Sequence, residues 1–127
     1  MLERRMTLPD VGDIAWVDLS DGRGTEQSGR RPALILTSED FHQRSHRAVI
    51  CPITTKLRGW PTSVLLPNGL QTIGEVLTDQ VRTIDRTVRM FGIVEKAPAE
   101  VVRDVRIKLA SLLGIDLDVL NDDADNA

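Results

Sequence analysis

Apolar residues fall in short bursts along most of the chain, and only one stretch, near the C-terminus, spaces them at helical intervals. In DIAWVDL (13–19), Ile14, Trp16 and Val17 sit between Asp13 and Asp18, and Gly12 opens the run, which predicts a partly alternating strand. PALILTS (32–38) is a second apolar run, with Pro32 at its first position, where a strand tolerates proline. SEDFHQRSH (38–46) starts on Ser38, a residue suited to an N-cap, followed by two acids in the first turn, and predicts a short helix. RAVICPIT (47–54) has the unbroken apolar character of a buried strand. The loop TKLRGWP (55–61) leads to a strand, TSVLLP (62–67), and Asn-Gly opens the turn NGLQT (68–72). IGEVLTD (73–79) alternates as a strand, RTIDR (82–86) forms a turn, and TVRMFGIV (87–94) is an edge-like strand carrying Arg89 and Gly92.

PAEVVRDVRIKLASLLG (98–114) is the long helix, with Pro98 at its first position, Glu100 at the positive end of the dipole and Gly114 just past its end. Val101, Val102, Val105, Leu109, Leu112 and Leu113 mark one face, and Arg103, Asp104, Arg106 and Lys108 mark the other. Six short strands, a short helix and this amphipathic helix predict an α+β, mainly β fold. The expected form is a small, strongly bent antiparallel sheet or half-open barrel whose apolar side the C-terminal helix covers.

The totals narrow the class. A chain of 127 residues supports one domain, placed at 1–114, followed by an acidic tail at 115–127 that is expected to be frayed. Aromatic residues make up only 3%, so the core must rest on Val, Ile and Leu. No apolar run approaches the ~20 residues of a membrane span, and the start, MLERRMTLPD, lacks the apolar stretch of a signal peptide. The lone Cys51 excludes an internal disulfide and fits a reducing cytoplasm; its apolar neighbours in AVICPIT point to a buried, inert thiol. The net charge of −3 argues at first against a polyanionic partner. Yet all sixteen Lys and Arg lie before residue 115, against fourteen acids there, so that portion carries +2. Residues 20–89 hold ten cations and seven acids, a mild basic bias.

Several chemistries lack their residues. There is no HExxH, no paired Cys motif, no nucleophile elbow and no P-loop. His42 and His46 stand four apart with no third ligand suggested nearby, which favours a solvated helix face over a metal site. What remains is a set of arginines, hydroxyls and a carboxylate, concentrated in GTEQSGRRP (24–32). Such a set suits cleavage of RNA through its own 2′-hydroxyl, because the substrate then supplies the nucleophile. The protein must accept a proton, stabilise the phosphorane and assist the leaving 5′-oxygen. A solvated polar loop is the competing interpretation of the same arginines.

Three blocks carry a resemblance: GDIAWVDLSDGRGTEQSGRRPALIL (12–36), CPITTKLRGWP (51–61) and VLTDQVRTIDR (76–86). Together they resemble the signature of the MazF/PemK family of type II toxin–antitoxin toxins, over about Gly12 to Gly114. The resemblance implies a compact SH3-like (CcdB-like) barrel and a homodimer. It also implies sequence-specific, metal-independent cleavage of single-stranded RNA that leaves 2′,3′-cyclic phosphate and 5′-hydroxyl ends. No cofactor is implied, and the partners are mRNA and a cognate antitoxin whose acidic segment would fill the same groove. Carried onto this chain, it implies Arg31 as the principal acid and phosphate-stabilising group, Thr54 as a hydroxyl donor, and Glu26 as a base or an orienter of Arg31. Gln27, Arg30, Lys56, Arg58, Gln80 and Arg82 are candidate RNA contacts. Trp60 is either a stacking surface for an unpaired base or a loop anchor beside Pro61. Gly24 and Gly29 are expected to let the backbone come close to the scissile phosphate. Asp21 stands where the family often has proline, and Glu75 where it usually has an apolar residue. Relatives that poison gyrase supply the alternative, a non-enzymatic toxin on the same fold, which would not need Glu26, Arg31 and Thr54.

Overall fold

The computed structural model describes residues 7–118. Seven strands, β1 (Asp13–Asp18), β2 (Arg30–Ile35), β3 (Arg47–Thr54), β4 (Ser63–Leu65), β5 (Glu75–Leu77), β6 (Arg82–Asp85) and β7 (Met90–Lys96), form one antiparallel sheet. Three helices accompany them: α1 (Glu39–His42), α2 (Arg86–Arg89) and α3 (Ala99–Leu112). The strand order is β4-β5-β3-β2-β1-β7, with β6 paired to β3, so β4 and β7 end the sheet and it does not close into a barrel. The half-open form is the one adopted, and the fold is α+β, mainly β.

Strand alternation sorts the core into two clusters. Ile14, Leu34, Cys51, Ile53, Val64 and Val76 face one way and pack against Val101 and Val105 of α3. Ala15, Val17, Ala33, Ile35, Ala48, Ile50 and Ile84 face the other way, with Met90 packed against them. Because both faces of β1, β2 and β3 are covered, neighbouring positions such as Ile14 and Ala15 are both fully buried. That explains why these strands read as apolar runs rather than clean alternations.

Several boundaries differ from expectation for identifiable reasons. β2 begins at Arg30, so Pro32 lies inside the strand; it stands where β2 has β1 on one side only, because β3 joins from Ala33 onward. Of residues 82–86, expected as a turn, Arg82–Asp85 form β6, in which Ile84 is the one buried side chain and leaves too short a pattern to recognise. Asp85 then caps α2 by accepting from the Thr87 amide at 3.0 Å, which delays β7 to Met90 and carries it to Lys96. The strands expected at 62–67 and 73–79 contract to three residues each. Helix α1 is only four residues long, with Ser38 Oγ accepting from the Phe41 amide at 3.2 Å as the cap chemistry predicts.

His42 is buried rather than solvated. One of its ring nitrogens meets the Thr37 hydroxyl at 2.8 Å and the other the Pro9 carbonyl at 2.7 Å. On α3, Val101, Val102 and Val105 are buried, whereas Leu112 and Leu113 are 46% and 64% exposed, so the helix's apolar stripe outlasts the sheet beneath it. The tail expected at 115–127 lies mostly outside the described residues, which end at Asp118.

Leu34, fully buried between sheet and helix, gives the test of this core. Leu34→Ala is expected to lower unfolding free energy by ~2–5 kcal/mol in urea titration, and Leu65→Ala, at a position 63% exposed, by less than ~0.5 kcal/mol.

Candidate active site

Between β1 and β2 the chain makes an excursion whose neck is closed by a bond from the Leu19 amide to the Gly29 carbonyl at 2.8 Å. Inside it, the Gly22 amide donates to the Leu19 carbonyl at 2.9 Å, and Glu26 Oε1 accepts from the Arg23 amide at 3.0 Å. Gly24 and Gly29 adopt φ of 58° and 80°, which favours glycine. A side chain at either would meet no protein atom within 4 Å. The crowded position is Gly22, where a Cβ would collide with the Gln27 carbonyl.

Two ties fasten this loop to the rest of the fold. The Gln27 amide donates to Gln80 Oε1 at 2.7 Å. Asp21 receives both terminal nitrogens of Arg82, each at 3.3 Å, and both of Arg89, at 3.3 and 3.2 Å, while Arg89 also donates to the Asp18 carbonyl at 3.0 Å. The Arg82 hydrogen bonds, followed by the charges of Arg82 and Arg89, hold the Asp21 carboxyl below the usual carboxylate range. Arg82 thus braces the loop while it also lines a cleft beside it.

Gln80 reaches the loop because of a misfit in the sheet. β3 pairs with β2 along one edge, and its other edge is shared by β6 and β5. Ile53 pairs with Val76 and Ile50 with Arg82, so three steps on β3 face six on the opposing chain. Three residues are in excess, and Thr78–Gln80 absorb them as a 3-10 turn. The turn lifts Asp79 and Gln80 out of the ladder toward the loop.

On the other side of this corner, Thr54 ends β3, 4% exposed. Its oxygen accepts from the Lys56 amide at 3.2 Å, which leaves the hydroxyl proton free to donate. The β2–β3 ladder joins Ala33 to Pro52 and Leu34 to Cys51. The pairing ends at Ala33–Pro52: Arg31 lies two residues before it on β2, paired with Val17 of β1, and Thr54 lies two residues past it on β3, paired with Glu75 of β5. Arg31 Nε donates to the Ser28 carbonyl at 2.7 Å, which orients the guanidinium and leaves its two terminal nitrogens without a protein partner among the described residues.

A cleft of about 430 Å³ opens at Thr54, lined also by Thr25, Glu26, Gln27, Arg58, Trp60, Leu77, Asp79 and Gln80. A second, of about 310 Å³, shares Glu26, Gln27, Asp79 and Gln80 and continues toward Asp21 and Arg82. The side-chain oxygen of Gln27 is buried with no hydrogen-bond partner among the described residues. The Arg58 guanidinium lies 5.2 Å from the centre of the Trp60 ring, which is 46% exposed.

The fold therefore gathers Glu26, Gln27, Thr54, Arg58, Trp60 and Gln80 around one cleft, while Arg31 lies on β2 outside its lining. Glu26 forms no ion pair with Arg31 among the described residues, and the Ser28 carbonyl does the orienting instead. Lys56 sits exposed at the start of the 55–61 loop. Arg30 stacks on Phe91, 4.4 Å from the ring centre, away from the cleft. Sequence reasoning missed Asp79, although it lay within the quoted block VLTDQVRTIDR, and it left Glu75 unplaced. Glu75 turns inward and accepts from the Arg58 amide at 3.0 Å and the Gly59 amide at 3.4 Å. Burial pushes the Cys51 thiol up to about 12, so it stays protonated and takes no part in the site. Among the described residues no three His, Cys, Asp or Glu are grouped to hold a metal ion.

The Asp21 tie yields a prediction with a definite sign. A carboxylate whose folded pKa is depressed keeps its partners through the ordinary carboxylate range and releases them as pH falls through the folded value. Amide exchange over residues 19–27 is expected to stay slow at pH 3.8, where a free aspartate is half ionised, and to quicken in more acid solution. In Asp21→Ala it should be fast at neutral pH, with the thermal unfolding midpoint little changed.

The comparisons with known proteins agree with this geometry. Residues 10–113 match the family described as "PemK-like, MazF-like toxin of type II toxin-antitoxin system". The chain is 34% identical over 110 residues to the endoribonuclease toxin MazF of Escherichia coli K12, covering 84% of this chain and 96% of that one. It is 33% identical over 117 residues to the Escherichia coli endoribonuclease PemK, covering 88% and 87%. The crystal structure of MazF from Deinococcus radiodurans superposes with a TM-score of 0.81 at 39% identity, covering 85% of this chain and 98% of that one. The MazE–MazF complex of the same organism contains a chain matching at TM-score 0.75 and 35% identity, over 87% and 99%. With its fold and nearly its whole described length in common with these proteins, the chain belongs to the PemK-like, MazF-like family of type II toxin–antitoxin toxins.

Proposed function

We propose that this protein is a sequence-specific endoribonuclease toxin that cuts single-stranded RNA through the substrate's 2′-hydroxyl, with no metal ion. The observation that carries the proposal is the set of donors and acceptors gathered where β2 and β3 part. Thr54, with its hydroxyl proton uncommitted among the described residues, lines a cleft with Glu26 and Trp60. Arg31, with two terminal nitrogens uncommitted among the described residues, stands on β2 two residues before the β2–β3 pairing begins. Four N–H donors and one O–H donor suit the oxygens of a pentacovalent phosphorane.

The electron flow is short. The Glu26 carboxylate accepts the 2′-hydroxyl proton, and the 2′-oxygen bonds to phosphorus. Arg31 and Thr54 donate to the equatorial oxygens as charge develops. The bond to the 5′-oxygen then breaks and that oxygen takes a proton from water, to which Glu26 releases the one it accepted, leaving a 2′,3′-cyclic phosphate and a 5′-hydroxyl. A guanidinium holds its proton at neutral pH, so Arg31 acts more by stabilising charge than by giving up a proton. Trp60 offers a ring face to an unpaired base, with Arg58 and Lys56 beside it for phosphates.

The relatives that carry this family's name are called endoribonucleases, and one solved relative is held in a complex with MazE. On that ground we extend to this chain a cognate antitoxin, a homodimer and a cytoplasmic site of action, where mRNA is available.

The test is cleavage of mixed RNA in excess EDTA by protein free of antitoxin, with the new ends mapped. Cyclic phosphate ends are expected, and Arg31→Ala is expected to cut ~10²–10³-fold more slowly. Uncut RNA, or unchanged cleavage by Arg31→Ala, would overturn the proposal, and toxicity retained by Arg31→Ala would favour a protein-binding toxin. RNA with a 2′-deoxy residue at the cut site should bind and resist cleavage.

A further inference from the structure

We infer that Glu75 is a positioning residue for RNA binding: its carboxylate holds the 55–60 loop in the shape that presents Arg58 and Trp60 to the cleft. The inference rests on the cleft being the RNA site. Glu75 opens β5, paired with Thr54 on β3 and Leu65 on β4, and its side chain is buried, with the residue 2% exposed. A carboxylate so enclosed needs donors for its oxygens. Those it has are the Arg58 and Gly59 amides, at 3.0 and 3.4 Å, and among the described residues no Lys, Arg or His pairs with it. Carboxylate and loop therefore satisfy each other, and neither is satisfied if the loop swings away.

The loop's other restraints stand at its two ends. Thr54 Oγ1 receives the Lys56 amide at one, and Lys108 Nζ reaches the Pro61 and Ser63 carbonyls, both at 2.7 Å, at the other. Glu75 acts between them, at the residues that carry the guanidinium lying over the Trp60 ring. Nor can Glu75 retreat. Gly74 has φ of 139°, and a Cβ there would collide with the Thr54 carbonyl, so the start of β5 is pressed against the end of β3. One carboxylate thus ties the loop to the strand end that bears the proposed catalytic hydroxyl. An apolar residue at this position would fill the space and leave both amides without an acceptor.

The experiment compares Glu75→Gln with the unaltered chain, each also made with Trp16→Phe so that emission reports Trp60 alone. KM for a cleavable RNA is expected to rise about tenfold with kcat within about threefold, the signature of lost binding rather than lost chemistry. Acrylamide should quench Trp60 more strongly in the variant. Hydrogen exchange in the unaltered protein should show the Arg58 and Gly59 amides protected, a readout that does not depend on the variant folding. Unprotected amides, unchanged quenching in a folded variant, or a fall in kcat at constant KM would each overturn the inference. If the unaltered protein cuts no RNA, the functional reading fails by itself, and the exchange and quenching data still decide whether Glu75 holds the loop.

Discussion

A strand has two hydrogen-bonding edges, and in this fold two other strands compete for one edge of β3. β5 takes the Ile53–Thr54 end and β6 the Arg47–Ile50 end, and the chain between them is three residues too long for an unbroken ladder. Expelling Thr78–Gln80 as a tight turn keeps both pairings. It also puts Gln80 where it can receive the Gln27 amide, so the loop bearing Glu26 is placed by a mismatch of register in a different strand pair. The end of β3 released from β2 is the same end that presents Thr54. Sheet geometry and site geometry are thus a single arrangement.

The charge balance takes on a different sense once the partners are known. A net −3 looked unfavourable for an RNA-binding surface. Several acids, however, are used internally as acceptors for backbone and guanidinium donors. Asp21 holds two arginines, Glu75 holds two loop amides, and Glu95 receives the Gln71 and Thr72 amides at 3.0 and 2.7 Å. Such carboxylates shape loops without presenting free negative charge to a phosphate chain. Arg31, by contrast, spends only its Nε on the protein and keeps the fork that matches phosphate.

Legibility in the sequence followed the range of the interactions. α3, β1, β3 and the Ser38 cap were readable because their causes are local: apolar spacing, continuous burial, a hydroxyl three residues from the amide that it receives. β6 was not, because one buried isoleucine among polar residues becomes a strand only when β3 offers its edge. His42 looked solvated because nothing nearby in sequence announces Pro9, whose carbonyl meets it across 33 positions. Among the site residues, the motif blocks named Glu26, Gln27, Thr54, Arg58, Trp60 and Gln80, and these do converge on one cleft. Their partners stayed hidden: Arg82 bound to Asp21 across 61 positions, and Arg58 bound through its amide to Glu75 across 17.

By itself, the sequence determined which side chains could do chemistry, because donors, acceptors and ring faces belong to residue types, and it determined the elements whose stabilising contacts lie within a few positions. Tertiary structure alone decided which of those side chains remain free. A guanidinium braced on a carboxylate and one whose terminal nitrogens stay uncommitted among the described residues have the same local sequence signature. Only the long-range pairing of strands, which sets who meets whom, separates Arg82 from Arg31.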